Sequence, residues 1–236
     1  MEAWYAMVQF FTNGGVFMFP IVLVLALGVG IAVERYVTLS LAAKKNRETW
    51  EKLDPMIKKG EFEQARELAA KDDSTISQLL VAGLARQAAV RRREDIDRAM
   101  EETLMAIIPR LEKRTHYLAT FANMSTLAGL LGTIIGLIDA FTAVSKADIA
   151  DKAELLSASI SIGMNCTAFG LMVAIPLVLV HSLLQTKTTE IIDSLEMVSV
   201  RIVNSIAERA SYVRPAFKRG DEPAPIATEA PIPSNA

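Results

Sequence analysis

Cysteine is almost missing from this 236-residue sequence, and histidine is nearly as rare. The one cysteine, Cys166, excludes a disulfide framework within one chain and a structural zinc site built from cysteines. The sequence also has no nucleotide-binding fingerprint, no metal-ligating cluster and no nucleophile elbow. These absences predict a protein that is not an enzyme and that holds no cofactor or metal. A net charge of −2 provides no basic field, which argues against a nucleic-acid partner.

Aromatic residues are scarce as well, at 6%, although 51% of the residues are hydrophobic. The apolar excess lies in three runs that contain no Asp, Glu, Lys or Arg, at residues 14–33, 115–138 and 155–186. Each run reaches the roughly 20 residues that a helix needs to cross a bilayer. The sequence therefore predicts an all-α integral membrane protein with three transmembrane helices.

Lys and Arg are distributed unequally around these runs, and the positive-inside rule then orients the chain. Residues 1–15 contain none, which predicts a periplasmic N-terminus and a first run that is kept as a span rather than removed as a signal peptide. Residues 40–114 contain sixteen, which predicts a cytoplasmic segment. The predicted organisation is a periplasmic N-terminus at 1–15, a first span at 16–39, a cytoplasmic helical loop at 40–115, a second span at 116–144, a short periplasmic loop at 145–154, a third span at 155–186, a cytoplasmic helix at 187–212 and a flexible tail at 213–236.

Helical signals occur throughout the cytoplasmic loop, and we expect two or three amphipathic helices there. Apolar residues follow Gly60 at helical spacing, and Thr75 to Gln78 has the form of a capping box. Arg91, Arg92 and Arg93 are followed directly by acidic residues, so they form either a solvated helical face or a docking surface for a cytoplasmic partner. After the third span, apolar residues at three- and four-residue steps predict a helix that continues the span into the cytoplasm. The tail contains five of the nine prolines.

The second and third spans each contain a stripe of small and hydroxylated residues, whereas the first span is bulky on all sides and suits contact with lipid. Such stripes either let two helix backbones pack closely or face a shared lumen formed by several copies. Two hydroxyl-bearing stripes in one chain favour the lumen. The candidate lumen residues are Ser125, Thr126, Thr133, Asp139, Ser159 and Thr167, and the candidate helix-packing residues are Gly129, Gly132, Gly136, Gly163, Gly170 and Pro176.

Ionisable groups inside a membrane are functional candidates, so their positions matter. Glu34 and Arg35 lie at the inner end of the first span, where they form an interfacial ion pair or extend towards the headgroups. Asp139 is expected near the outer edge of the second span, as an interfacial residue or a point of proton entry. No carboxylate lies at the membrane centre, and a threonine cannot change its charge near neutral pH. A proton pathway here would therefore need its carrier from a partner subunit.

Two long motifs resemble the ExbB/TolQ/MotA proton-channel family. They are AGLLGTIIGLIDAF at 128–141 and ISIGMNCTAFGLMVAIP at 160–176, and Glu34-Arg35 also matches the family's pattern. With three spans, the chain resembles the ExbB/TolQ branch. One departure is Ile162, because ExbB proteins have a glutamate five residues before the second of their two lumen-facing threonines.

The resemblance implies a subunit of a proton-driven motor in the bacterial inner membrane. In such motors five copies surround a dimer of an ExbD-like single-span partner whose aspartate carries the proton, and energy passes to a TonB-like protein. The two lumen-facing threonines would correspond to Thr133 and Thr167. Three hypotheses follow: a proton-channel subunit, a scaffold that holds the partner without conducting, and a TolQ-like motor for cell division, envelope integrity or gliding. Sodium rather than proton coupling is also compatible with the sequence.

Overall fold

The computed structural model describes the backbone of residues 14–89 and 93–213, and all regular structure within those ranges is α-helical. Within the described residues, six helices follow one another: α1 Met18–Lys59, α2 Phe62–Ala70, α3 Thr75–Ala89, α4 Arg93–Glu112, α5 Thr115–Lys146 and α6 Lys152–Val213. In this part of the chain, three helical stretches are long and apolar enough to cross a membrane: Met18–Lys59, Arg93–Lys146, which comprises α4 and α5, and Lys152–Glu208.

Helix α1 contains most of the first apolar run and then continues without interruption for 26 residues beyond it. Its 42 residues extend over about 63 Å, twice the ~30 Å of a bilayer's hydrocarbon core. One stripe, including Met18, Ile21 and Leu39, is buried against the other helices. The helix ends at Gly60, which adopts a left-handed conformation with φ 77°, and the amides of Gly60 and Glu61 bond the carbonyls of Ile57 and Met56.

Helices α2, α3 and α4 occupy the segment that the sequence predicts to be a helical loop. The capping prediction at Thr75 is wrong by one residue: the Oγ of Ser74 accepts the amide of Ser77 at 3.1 Å, so Ser74 caps α3. Thr75 is then the first residue of the helix. Leu79 and Leu80 of α3 and Met100 of α4 are fully buried in a core shared with α6.

Helix α6 is a single helix of 62 residues, so the predicted third span and cytoplasmic helix are one element. The apolar stripe predicted for its second half is buried, at Ile191, Leu195, Val198, Ile202 and Ile206. It joins α5 through a connection at 147–151, shorter than the predicted loop at 145–154. The predicted N-terminal segment up to residue 13, Arg91, Arg92 and the tail from residue 214 lie outside the described residues.

Candidate functional site

Glycines bring the backbones of α5 and α6 into direct contact. A Cβ placed on Gly129 would lie 3.1 Å from both the carbonyl oxygen of Cys166 and the Cα of Thr167. A Cβ on Gly136 would lie 3.1 Å from the Cα of Gly163, and one on Gly170 only 2.7 Å from the carbonyl oxygen of Ser125. These distances leave no room for a side chain at either surface. The small stripes of the two spans therefore pack against each other within one chain.

A pair of threonines lies at this contact, with their hydroxyl oxygens 3.2 Å apart. Thr133 of α5 and Thr167 of α6 also donate within the contact, Thr133 to the carbonyl of Leu130 at 2.6 Å and Thr167 to that of Gly129 at 2.8 Å. Both side chains are half-buried. Each hydroxyl has one proton and two lone pairs, so the pair offers unfilled acceptor positions at a partly exposed edge. Such an arrangement can orient water or a polar group without changing its own charge.

The other candidate residues divide into those at the contact and those away from it. Ser125 is fully buried and donates to the carbonyl of Gly170 at 3.0 Å, which ties together the end of the contact nearer the start of α5. Ser159 lies at the opposite end, where its carbonyl oxygen would be 3.2 Å from a Cβ on Gly136. Thr126 donates only within its own helix, to Ala122. Asp139 and Pro176 are exposed and take no part in the contact.

Gly132 faces a side chain of α6, whereas the other glycines of α5 face the backbone of α6. A Cβ at this position would lie 2.4 Å from the Sγ of Cys166, which is 1% exposed. The lone cysteine thus fills the space left by a glycine on the facing helix. Close packing accounts for the glycine stripe, whereas the lumen interpretation remains a prediction that concerns the half-buried threonines.

Near the break between α4 and α5, the predicted pair between Glu34 and Arg35 is wrong in its partners. The carboxylate of Glu34 accepts two hydrogen bonds from Arg114, at 2.7 and 2.8 Å. Arg35 is 4% exposed and donates to the carbonyl of Leu111 and, at 3.2 Å, to the hydroxyl of Thr115. Adjacent residues of a helix point in different directions, so two neighbours rarely pair with each other.

The residues that bond Glu34 and Arg35 all lie at the break between α4 and α5. This break explains why the two neighbours bond elsewhere and not to each other. Arg114 adopts a left-handed conformation with φ 65°, rare for a residue with a side chain, and interrupts the helix there. A helix end leaves carbonyls without intrahelical partners, and Arg35 supplies a donor to one of them. The sequence gives no local signal for this site, because 80 residues separate Glu34 from Arg114.

Comparison with known proteins gives the same assignment as the motifs. Residues 71–197, more than half of the chain, match the model of the MotA/TolQ/ExbB proton channel family. A putative biopolymer transport protein, ExbB-like 1, from Synechocystis is 30% identical over 187 residues, which cover 78% of this chain and 72% of that protein. The chain belongs to the MotA/TolQ/ExbB proton channel family. It is a multi-pass membrane protein.

Other relatives in the family match over shorter stretches. The Tol-Pal system protein TolQ of Haemophilus influenzae is 36% identical over 94 residues, 40% of this chain and 41% of TolQ. The biopolymer transport protein ExbB of Aquifex aeolicus is 32% identical over 80 residues, 34% of this chain and 53% of that protein. The chain thus spans about half or less of the length of these two relatives.

Both threonines of the pair fall within the region matched to the MotA/TolQ/ExbB family. Ile162 takes the place where the sequence comparison expects a glutamate, and its Cγ2 would lie 3.1 Å from a Cβ on Gly15, at the entry to α1. It is also 41% exposed. The isoleucine therefore lies close to the start of α1 and is partly exposed.

Proposed function

We propose that this chain is the channel-forming stator subunit of an ExbB–ExbD-type motor, which uses the proton-motive force to energise a TonB-like protein for outer-membrane transport. It works without catalysing a reaction, in the bacterial inner membrane, with its N-terminus in the periplasm and its C-terminus in the cytoplasm. The observation that carries the proposal is the pair of half-buried hydroxyls of Thr133 and Thr167, 3.2 Å apart, within the region matched to the family.

The chemistry of the pair explains why a partner is needed. The apolar runs at 115–138 and 155–186 contain no Asp, Glu, Lys or Arg, so neither can carry a proton through its centre. The hydroxyls can accept hydrogen bonds from water or from a guest side chain. We propose that several copies, five by resemblance, surround an ExbD-like single-span partner whose aspartate carries the proton past the threonines.

The test is the double substitution Thr133→Val and Thr167→Val, which preserves shape and removes both hydroxyls. We expect the complex to assemble with its partner and energy-dependent transport to be lost. The matched control is Thr142→Val on the same helix, since Thr142 is exposed and donates only to Ile138 of its own helix. Full transport by the double variant would overturn the proposal.

A scaffold that does not conduct is distinguished by ion flux. Purified complex in liposomes should dissipate a proton gradient when the hydroxyls are intact and should not do so in the double variant. A scaffold would show no flux in either case. Repeating the measurement with and without sodium, at a fixed proton gradient, identifies the coupling ion.

A TolQ-like role in envelope integrity or cell division is the second candidate, and the 36% identity to a TolQ protein favours it. The threonine pair is compatible with both roles, because both would use the same channel. The neighbouring genes separate them: a gene for a TonB-like protein supports the transport role, and genes of a Tol-Pal system support the other.

A further inference from the structure

A cavity of about 360 Å³ lies between α1 and α6, beyond the apolar parts of both helices. One stripe of α1 and one stripe of α6 form its long walls, and Ile76 of α3 closes one side. Trp50, Ile191 and Val198 give it an apolar interior. Its volume is in the range of small binding sites. We call it the α1–α6 cavity.

One hydrogen-bond donor in this cavity has no partner. Asn46 is 3% exposed and lines the cavity, and its Nδ2 is the one buried side-chain nitrogen or oxygen without a partner among the residues whose side chains the structure describes. Its Oδ1 is already occupied, since it accepts from the hydroxyl of Thr75 at 2.8 Å. A buried amide donor left unpaired costs ~1–3 kcal/mol. The Nδ2 atom itself has almost no accessible surface, so this donor cannot bond an occupant while the side chain keeps this orientation.

A second network fixes the orientation of this wall. Asp72 accepts from Thr49 at 2.6 Å and from Ser77 at 3.2 Å, and it lies 3.1 Å from the ammonium of Lys45. Burial raises the pKa of Asp72, but the hydrogen bonds from Thr49, Ser74, Lys45 and Ser77 outweigh burial and hold that pKa well below its usual range. The connection between α2 and α3 is thus bound to α1 next to Asn46, so the amide of Asn46 keeps its direction.

Cations outnumber anions around the cavity. Lys187 and Arg47 lie along the rim with Glu190, and Arg201 lies at the end farther from the membrane. Lys187 donates to Ser40 and stacks over the ring of Tyr36, and Arg47 pairs with Glu51. Arg201 forms no ion pair with any residue in the described part of the chain. The cavity favours an anionic occupant.

The sequence contains a segment with matching chemistry. Residues 220–236 carry Asp221, Glu222 and Glu229 and no Lys or Arg. The triplet Ala-Pro-Ile occurs twice in this segment, at 224–226 and 230–232. Proline-rich segments dock in aromatic-lined grooves, and their backbone carbonyls are free because the polyproline conformation has no internal hydrogen bonds.

The segment is long enough to reach the cavity. Sixteen residues separate Met197, which lines the cavity, from Val213 at the end of α6, a rise of about 24 Å. The twelve residues from 214 to 225 span up to about 40 Å when extended. Pro215 and Gly220, which favour turns, lie in the part that would reverse the direction of the chain.

We propose that residues 221–233 of this chain bind in the α1–α6 cavity. An Ala-Pro-Ile unit packs against Trp50, and the acidic residues lie near Arg201 and Lys187.

The test distinguishes two other occupants. A neighbouring copy would be recognised by a cross-link to one of its helices. A bilayer lipid would reach only the membrane end, because Arg201 lies 14 residues, or about 21 Å, beyond Lys187 along α6. Both occupants are outcomes of the test.

The test places a photo-reactive amino acid at Met197 of the full-length chain in its native membrane. Irradiation should join it to a peptide from residues 221–233, identified by mass spectrometry. The matched control is the same group at Val200, which is exposed to a similar degree, 58% against 56%, but does not line the cavity. A cross-link to a neighbouring copy, to another protein or to lipid would overturn the proposal, as would a yield at Met197 no higher than at Val200.

A variant of the tail tests specificity without touching α1–α6. Ile226→Asp with Ile232→Asp should lower the cross-link yield roughly tenfold or more, because a carboxylate would have to enter an apolar pocket. Thr228→Asp, between the two Ala-Pro-Ile units, adds charge without removing either isoleucine and should preserve the link. An unchanged yield in the isoleucine variant would contradict the proposal.

Discussion

Glu34 and Arg35 illustrate how two adjacent residues take different roles at one helix break. Glu34 forms a two-bond pair with Arg114 at a partly exposed position, where side chains of both partners are about half accessible. Arg35 is almost fully buried and bonds the Leu111 carbonyl and the Thr115 hydroxyl. Exposed pairs contribute little to stability, whereas a buried donor that satisfies a free carbonyl contributes more. Arg35 is therefore the residue that holds α1 to the junction of α4 and α5.

Replacing Arg35 by methionine should destabilise the protein by ~1–3 kcal/mol, because the carbonyl of Leu111 would be left buried without a donor. The unbranched side chain keeps most of the arginine stem, so the loss reports the hydrogen bonds rather than packing. The stability of Arg35→Lys should lie between that of the parent protein and that of Arg35→Met, since an ammonium lacks the planar fork that reaches two acceptors. The midpoint of unfolding in detergent or nanodiscs measures the effect.

Arg47→Met is the matched control for this prediction. Arg47 lies on the same helix and makes an exposed pair with Glu51 four residues on, so its loss should cost less than ~1 kcal/mol. Equal effects of the two substitutions would mean that the junction does not depend on Arg35.

The sequence predicted that this position matters but not how. Charged residues at the end of an apolar run indicate an interfacial site, and the structure has a hydrogen-bonded cluster at this position. The partners could not be predicted, because they depend on a left-handed residue at Arg114 that the surrounding sequence does not require. Asn46 was missed for a similar reason: an asparagine within a polar stretch gives no sign that it is buried with an unpaired amide.

At the scale of the elements, the contact between α5 and α6 depends on glycines that face backbone. The three- and four-residue spacing of small residues predicted a close approach for each helix. It could not identify the partner, since a stripe can pack against its own chain, against another copy or around a lumen. The structure pairs the two stripes with each other, and the Cβ distances at Gly129, Gly136, Gly163 and Gly170 all lie near 3 Å.

Gly170→Ala should destabilise the pairing of α5 and α6 by ~1–3 kcal/mol, the usual range for overpacking. The added methyl group would meet the carbonyl oxygen of Ser125 at 2.7 Å and the Cα of Gly129 at 3.1 Å. Backbone atoms cannot rotate away as a side chain can, so the two helices would have to move apart. The shift would also separate Thr133 from Thr167, so ion flux should fall together with the unfolding temperature.

Gly30→Ala is the control, because a Cβ at this position would have no atom of the chain within 4 Å. Alanine is favoured over glycine in a helix by ~1 kcal/mol, so this variant should be as stable as the parent protein or slightly more stable. A Gly170 variant with the same stability as the Gly30 variant would show that the backbone contact is dispensable.

For the molecule as a whole, the long helices extend well beyond the charge-free runs that are predicted to cross the membrane. Helices α1 and α6 both continue from an apolar half into a half that packs with α2, α3 and α4 around a shared core. Patterns of hydrophobicity predicted the three spans, since a charge-free run of this length has few alternatives. For the third span, the apolar stripe that follows it also predicted the continuation that α6 shows. The continuation of α1 was not predicted, because a polar stretch after a span can begin a loop equally well.

Charge also predicts which side of the membrane each part occupies, and labelling tests this directly. Sixteen Lys and Arg residues between 40 and 114 should hold that segment in the cytoplasm, which leaves the connection at 147–151 outside. A cysteine at the exposed Asp148 should react with a membrane-impermeant maleimide in intact cells with a permeabilised outer membrane. One at the exposed Lys71 should react only after lysis.

The native Cys166 provides an internal background for this labelling, since it is 1% exposed and faces Gly132 within the contact of α5 and α6. The parent protein should therefore stay unlabelled under both conditions. Replacing Lys71 removes one of sixteen cations, too few to reverse the charge bias that orients the chain. Labelling of the Lys71 variant in intact cells would place α2 and α3 in the periplasm and invert the molecule. The threonine pair would then meet its proton-carrying partner from the opposite side, which the proposed motor does not allow.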